Sequence, residues 1–444
     1  MNNQAGKVIR LPKELDADHL EHLGAAMLAT GGLFVEKNIT EKIACRVEVE
    51  EIDAFGSAWR DGKAFSILVE AKSGHWKNQD IFALLGKKAY LGATAAVLLY
   101  RSHVAVNEKQ ELLTRFENKG HRIDLVSANE ALKPQTIADL CEEDETTVLE
   151  RLNKIYSLQA WRYAFWTERV LLRHLVQEAK ALGDIVGSLV AVRELLDRLN
   201  ECFFLPDCRD QALGLYDFYF KNPKLTQQMI EERQRKAPGD ELRGLSPEEA
   251  FQACLYDGKV PGVQACMYLE HRARCLILKA AVDMVMMHRW APLKPAKVKD
   301  FLLPDNFRRF VLKISCIPNL EKLAQLWQAY ILGWGGFIVI DRIDEEYANI
   351  GLEVGLEPDE VEDGLRVFDQ LFPIENGWHY EQSGTGIRIL KFVPNAIRAL
   401  GVQRRRWIYG DEQFFSKLPP LGFQDCKKWA QCGYGLLEAD ALPS

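Results

Sequence analysis

VEVEEIDAFGSAWRDGKAFSILVEAKSG, residues 47–74, decides how this chain is read. Two extended runs of alternating character flank a turn. Side chains alternate with period two along a strand, so Val47, Val49, Glu51 and Asp53 fall on one face of the first. In the second, Phe65, Ile67, Val69 and Ala71 make an apolar face, while Leu68, Glu70 and Lys72 share the opposite one. A core strand therefore ends with a carboxylate and an ammonium pointing the same way. Asp53 tips the strand before it. Gly56 and Arg60-Asp61-Gly62-Lys63 supply turn chemistry between the two. Pairing these strands brings both acids to one rim of a sheet.

That arrangement suits a hard divalent cation. Mg²⁺ prefers oxygen ligands and takes one or two carboxylates together with waters and substrate phosphate. A lysine two residues past the second acid is positioned to orient or deprotonate an attacking water, or to stabilise a charged transition state. The metal polarises the phosphoryl oxygen and lowers the pKa of its water. Phosphodiester hydrolysis is the chemistry these residue types point to.

Asp53, followed after a short hairpin by Glu70-Ala71-Lys72, resembles the PD-(D/E)XK nuclease superfamily, the restriction-endonuclease-like fold. The wording IDAFG…ILVEAKSG, then a helix, then AAVLLY, is similar to its Mrr-like and RecB-like branches. The resemblance runs to about Tyr100. It implies that Asp53 and Glu70 bind Mg²⁺ (or Mn²⁺) and that Lys72 is the catalytic lysine. Many members carry a helix glutamate ahead of the sheet, for which Glu21 and Glu36 are the candidates. Glu51 and His75 are further accessory candidates. Ile52 stands where a proline often precedes the first acid, and the RecB-type Gln-x-x-x-Tyr helix is not evident. The tripeptide alone carries no weight. Glu117-Asn118-Lys119, Glu178-Ala179-Lys180 and Asp425-Cys426-Lys427 share it, and none ends an apolar alternating strand behind another acid-tipped strand.

Composition sets the outer bounds. A chain of 444 residues exceeds one ordinary core. Hydrophobic content of 48% and charged content of 27% describe a soluble globular protein. The net charge of −7 advertises no polyanion partner, so nucleic-acid contact needs local basic patches. Lys87 and Lys88 are one candidate patch, and Arg404-Arg405-Arg406 beside Trp407 another. Solvated charge is the competing reading of both. The ten cysteines contain no Cys-x-x-Cys pair, which argues against a zinc ribbon. The start, MNNQAGKVIRLPKEL, has no apolar signal core, so reduced thiols in a cytoplasmic protein are expected. The apolar runs Cys275–Met287 and Ile331–Ile340 are too short or too interrupted to span a bilayer, and no membrane partner is expected.

In chain order, residues 1–133 read as an α/β nuclease-like domain. A helix from Asp16 or Asp18 to about Ala29 stops at Gly31-Gly32. Then come a first strand at Leu33-Phe34-Val35, the two acid-tipped strands, a helix Gln79–Leu91, an apolar strand Ala95–Tyr100, a helix Asn107–Asn118 and a strand His121–Ser127. A boundary is expected near Lys133-Pro134. Residues 134–317 read as helical, with Thr146–Leu182 as one rod and Val260–Arg289 as a buried helix carrying a Lys279–Asp283 ion pair. Ser246-Pro247-Glu248-Glu249 is a helix-start signal. Aromatics between Tyr156 and Phe220 read as core ahead of base-stacking.

Residues 318–402 read as a winged-helix-like module. Leu320–Leu332 is expected to be amphipathic, followed by helices Asp344–Gly351 and Pro358–Leu371. A hairpin Trp378–Val393 turns at Ser383-Gly384-Thr385-Gly386. Asp359, Glu360, Glu362, Asp363 and Asp369 on the second helix would be repelled by phosphates, which favours a protein partner. Residues 403–444 read as a C-terminal tail, irregular past Leu418. No Walker-type sequence occurs. The expected function is a Mg²⁺-dependent endonuclease acting on nucleic acid, DNA ahead of RNA. The resemblance implies a prokaryotic restriction or antiphage setting. The alternative is a catalytically silent nuclease-fold scaffold subunit, which the acidic balance favours.

Overall fold

The structure is a computed structural model that describes residues 15–43, 47–101, 106–182, 187–205, 208–222, 224–236, 241–255, 260–287, 304–382, 384 and 386–410. Its contacts divide the chain into two compact units. One is Pro12–Trp166 with Leu352–Gly355, and the other is Met1–Leu11, Thr167–Gly351 and Leu356–Ser444.

The first unit is built on a five-stranded mixed sheet. Helix α1 (Ala17–Thr30) precedes it, capped by Asp16, whose carboxylate accepts the His19 N–H at 2.9 Å. It stops at Gly31-Gly32 as expected, and Gly32 takes φ +78°. Strands β1 (Phe34–Ile43), β2 (Val47–Arg60), β3 (Lys63–Lys72), β4 (Ala95–Tyr100) and β5 (Ile123–Ser127) lie side by side in chain order. The first three run antiparallel, and β3, β4 and β5 run parallel. Helices α2 (Asn78–Leu91) and α3 (Val106–Glu117) are the crossovers that parallel pairing requires. Asp61 and Gly62 both take positive φ, 49° and 72°, the type I′ geometry that matches strand twist. Pairing of β2 with β3 begins only at Ala54↔Val69, whereas its pairing with β1 reaches Ile43↔Val47. The far ends of β1 and β2 therefore form a two-stranded ribbon that overhangs β3.

Packing does not place a boundary near Lys133-Pro134. Helices α4 (Pro134–Cys141) and α5 (Glu145–Lys154) pack on α1 and stay in the sheet unit, which runs to Trp166. A Cβ on Gly31 would collide with Cys141. Arg151 is fully buried and donates to the Thr30 carbonyl at 3.0 Å and to Glu143 at 3.2 Å. The expected rod Thr146–Leu182 is two helices. α5 ends at Lys154, Tyr156 takes a left-handed φ of 52°, and α6 (Ser157–Leu182) follows. Neither glycine nor proline marks that break. The short return segment completes this unit. Glu353, only 1% exposed, accepts from Trp161 Nε1 at 2.6 Å and Ser157 Oγ at 2.5 Å, and the Leu352 carbonyl accepts from Arg151 Nε at 2.7 Å.

The second unit is mostly helical. It contains α7 (Gly187–Phe203), α8 (Cys208–Lys221), α9 (Leu225–Lys236), α10 (Pro247–Leu255), α11 (Pro261–Met287) and α12 (Asp305–Ile314). α11 is its axis, buried along nearly its whole length, with α7, α8, α9 and α12 against it. Lys279 and Asp283 pair across one turn of it at 2.6 Å, as expected. The Ser246–Glu249 start signal forms a capping box. Ser246 N–H donates to Glu249 at 2.8 Å, and Glu249 N–H donates to Ser246 Oγ at 3.2 Å. Tyr216 packs on Phe307 and Phe310, as core rather than a stacking platform.

Toward the C-terminus come α13 (Leu323–Gln328), a π turn at Ala329–Gly333, β6 (Phe337–Val339), α14 (Ile343–Val354), α15 (Pro358–Leu371), β7 (His379–Gln382), β8 (Ile387–Leu390) and α16 (Asn395–Tyr409). The three strands are antiparallel in the order β6-β8-β7. The segment Leu320–Leu332 is not amphipathic, because every residue from Leu323 to Val339 is buried. A tail beginning at residue 403 is also corrected, since α16 continues to Tyr409. The part past Leu418 lies outside the described residues. Cys141, Cys202, Cys254, Cys266 and Cys275 are buried free thiols. Among the described residues no helix is long and apolar enough to cross a membrane.

Candidate active site

The ladder between β2 and β3 ends at Ala54↔Val69, and one step further Asp53 and Glu70 stand across from each other. There the Asp53 side chain takes over from the ladder, accepting the Ala71 N–H at 2.7 Å. Burial pushes the Asp53 carboxyl up to about 7, and the neighbouring Glu70 charge adds to it. The Ala71 N–H opposes this rise, Glu21 reinforces it, and Lys87 offsets part of it. The two acids are thus close enough to repel, in a place where water screens them poorly.

Glu70 is 9% exposed and divides its oxygens between two amines. Oε1 meets Lys72 Nζ at 2.9 Å, and Oε2 meets Lys87 Nζ at 2.7 Å. The two-residue spacing of Glu70 and Lys72 on β3 puts them on one face, which makes the first contact possible. Lys72 also faces Asp80 at 3.8 Å. Burial works against its charge, but the Glu70 hydrogen bond and charge hold its pKa above the usual lysine value. Lys87 reaches across from α2 to Glu50 at 2.8 Å and to the Glu51 carbonyl at 2.8 Å. Burial lowers its pKa, and Glu50 and Glu70 more than restore it.

The structure brings Asp53, Glu70 and Lys72 together. Of the two accessory glutamates, Glu21 lies on α1 within electrostatic reach of Asp53. With its amide oriented to suit both neighbours, Asn38 donates to Glu21 at 3.3 Å and accepts from Lys37 at 2.7 Å. Glu36 is on β1 opposite Phe55, so it is a strand residue and not the expected helix glutamate. The Glu51 side chain is exposed and contributes its carbonyl instead. His75 is exposed in the loop after β3.

The basic patches are corrected. Lys87 is committed to the acid cluster and does not lean toward a phosphate backbone, while Lys88 is half-buried on the same helix. Arg404 and Arg405 are fully buried. Arg404 lies over the Trp334 ring at 4.0 Å and donates to the Gly333 carbonyl. Arg405 pairs with Glu346 and donates to the Trp334 and Phe337 carbonyls, both at 2.7 Å. Neither can reach a phosphate, and Arg406 is half-buried beside them. Two participants, Asp80 and Glu50, escaped sequence reading, and Lys87 was read only as part of a basic patch. Asp80 is seven residues before Lys87, two turns along one face of α2, and Lys87 follows buried Leu84 by three. That spacing continues the inward face and is the signal that could have found them. Glu50 carried no such signal.

The donor set suits a hard cation. It consists of carboxylate oxygens, and the mutual repulsion of Asp53 and Glu70 is what a divalent ion between them would relieve. Among the described residues no group of three or more His, Cys, Asp or Glu is arranged to hold a metal. Two carboxylates with waters remain within the habits of Mg²⁺. No family model, no curated protein and no solved structure matches this chain.

Proposed function

We propose that the chain is a Mg²⁺-dependent nuclease of the restriction-endonuclease-like kind, acting on DNA ahead of RNA in a prokaryotic cytoplasm. The observation that carries this reading is the convergence of Asp53 and Glu70 at the point where β2 and β3 part, with Lys72 hydrogen-bonded to Glu70. The helix-first mixed sheet with two parallel crossovers supports it as well.

Asp53 and Glu70 are the residues that would hold the metal. When bound, Mg²⁺ supplies Lewis-acid polarisation of the phosphoryl oxygen and a more acidic water. The Ala71 N–H fixes the Asp53 carboxylate, and Lys87 fixes Glu70 from the side away from Lys72. Protonated Lys72 carries its charge on Nζ, where it stabilises the negative charge that builds on the phosphoryl group. Glu21 adds negative field and strengthens cation binding.

The order α13, β6, α14, α15, hairpin and the β6-β8-β7 sheet support a winged-helix-like module. The acids of α15 support a protein partner for it rather than a major groove. A second reading is a silent scaffold subunit. One observation favours it: both Glu70 oxygens are already occupied by amines.

The test is cleavage of single- and double-stranded DNA and RNA by wild type and Glu70→Ala, with Mg²⁺, Mn²⁺ or EDTA. Metal-dependent cutting that disappears in the variant is expected. Equal cutting by both preparations refutes the assignment. Binding of nucleic acid without any cutting by wild type points to the scaffold.

A further inference from the structure

Lys87 Nζ is held by three oxygens at once. Glu70 Oε2 lies at 2.7 Å, Glu50 Oε1 at 2.8 Å and the Glu51 carbonyl at 2.8 Å. An ammonium has three N–H bonds, and this set uses all of them. The Lys87 side chain is 14% exposed, so its head is enclosed by these groups rather than trailing in water. Other lysines are placed differently. Lys109 meets one carboxylate, that of Glu130, and Lys391 meets two backbone carbonyls.

The fold prepares the three oxygens. Past Ala54↔Val69 the ladder between β2 and β3 stops, and side chains take over its backbone groups. The Ala71 N–H turns to Asp53. Glu51 gives its N–H to Glu50 Oε1 at 3.1 Å and its carbonyl to Lys87. That steadies Glu50, while Lys72 at 2.9 Å steadies the other end of the Glu70 carboxylate. Lys87 comes in from α2, one turn beyond buried Leu84. Its ammonium thus stands where hard oxygen donors converge from β2 and β3. Ca²⁺ takes carboxylate and carbonyl oxygens at about 2.3–2.6 Å. The set would contract by a few tenths of an ångström to hold such an ion in place of the amine.

We propose that the Lys87 ammonium fills a cation site made by Glu50, Glu70 and the Glu51 carbonyl, so that the chain takes one divalent ion beside it and not two. The count of one rests on the proposed function, because the first ion is the one assigned to Asp53 and Glu70. Two-metal phosphodiesterases set two cations about 3.5–4 Å apart around the reacting phosphate. Here Lys87 is the built-in second charge. A carboxylate has about four lone-pair sites, and the two amines use two of those on Glu70. Lys87 and a metal ligand role for Glu70 are therefore compatible. Truncating Lys87 empties the site without removing any of its oxygens.

The experiment uses the full chain without nucleic acid, so that cutting plays no part. Bound Mn²⁺ is counted by calorimetric titration for wild type, Lys87→Ala and the double variant Lys87→Ala with Glu50→Gln. Wild type is expected to bind one ion and Lys87→Ala two. In the double variant the added site should weaken by about tenfold or more, as loss of a charged partner does. A count that Lys87→Ala leaves unchanged, or a wild type that already binds two, overturns the proposal. A wild type that binds none, beside a Lys87→Ala chain that binds one, upholds the cation site and refutes the metal assignment of Asp53 and Glu70. Ethylammonium gives a metal-free reading. In EDTA it should raise the melting temperature of Lys87→Ala and leave wild type unmoved, whereas tetramethylammonium, which has no N–H, should raise neither. Equal responses of the two proteins, or to the two salts, overturn the proposal. If Lys87→Ala does not fold in EDTA, Mn²⁺ or ethylammonium should restore its circular dichroism, and failure of both overturns it as well.

Discussion

Glu70 is a carboxylate shared by two amines, and that makes Lys87 more than a spectator. Lys87→Met would leave Glu50 and Glu70 without their common cation. We expect a loss of about 2–3 kcal/mol in urea unfolding, below the cost for a fully buried pair because water still reaches these groups. Activity should fall with Lys72 intact, because Glu70 loses one of its two anchors. Asp53→Asn should do the reverse for stability. The amide still accepts the Ala71 N–H while the repulsion from Glu70 disappears, so the variant should be at least as stable as wild type in EDTA, yet inactive. A second residue-scale expectation concerns pH. His271 is 1% exposed, its Nε2–H donates to the Lys391 carbonyl at 3.0 Å, and its Nδ1 accepts from Arg274 at 3.3 Å. Burial first, and the Arg274 charge next, hold its pKa well below 6.5. The unfolded chain takes up a proton near that value and the folded one refuses it, so stability is retained above it and lost as pH falls. From about pH 7.5 to about pH 5.5 the helical unit should lose about 1.4 kcal/mol by urea unfolding. His271→Gln should flatten that limb.

At the scale of elements, the β2–β3 hairpin carries the site and its turn can be tested by itself. Gly62 has φ +72° and open space where a Cβ would stand. Gly62→Ala should therefore cost about 1 kcal/mol of thermal stability through backbone strain alone. Helix α16 gives the opposite case. Arg405→Met would strand Glu346, which is also fully buried, at a cost of about 3–5 kcal/mol in urea unfolding. These two elements show what the sequence makes legible. Period-two alternation and an Asp-Gly turn are local signals, so the acid-tipped strands and the Glu70–Lys72 face could be read directly. A run of three arginines signals charge but not which side of a helix faces inward. Arg405 follows Gly401 by four residues and Ile397 by eight, both buried, and that helical spacing carries it into the core. Asp53 and Glu70 were legible because strands place side chains simply. The lysine of α2 was not, because its partner lies on a distant strand.

At the scale of the molecule, the expected boundary at Lys133 fell where composition changes, not where packing ends. α1 is a helix covered on both sides, by the sheet and by α4 and α5. A fragment of residues 1–133 would uncover one of those sides. It should show no cooperative unfolding transition by circular dichroism, whereas the full chain should. Nothing local in the sequence announces that Leu352–Gly355 comes back to the sheet unit, since that contact is long-range. The return segment also sets an order of events during synthesis. Ser157, Trp161 and Arg151 leave the ribosome early, but Glu353 and Leu352 follow only after Thr167–Gly351 has been made, about 10–40 s later at usual elongation rates. A nascent chain therefore carries Asp53, Glu70 and Lys72 well before the piece that locks their scaffold. Translation itself delays the moment at which the sheet unit is complete.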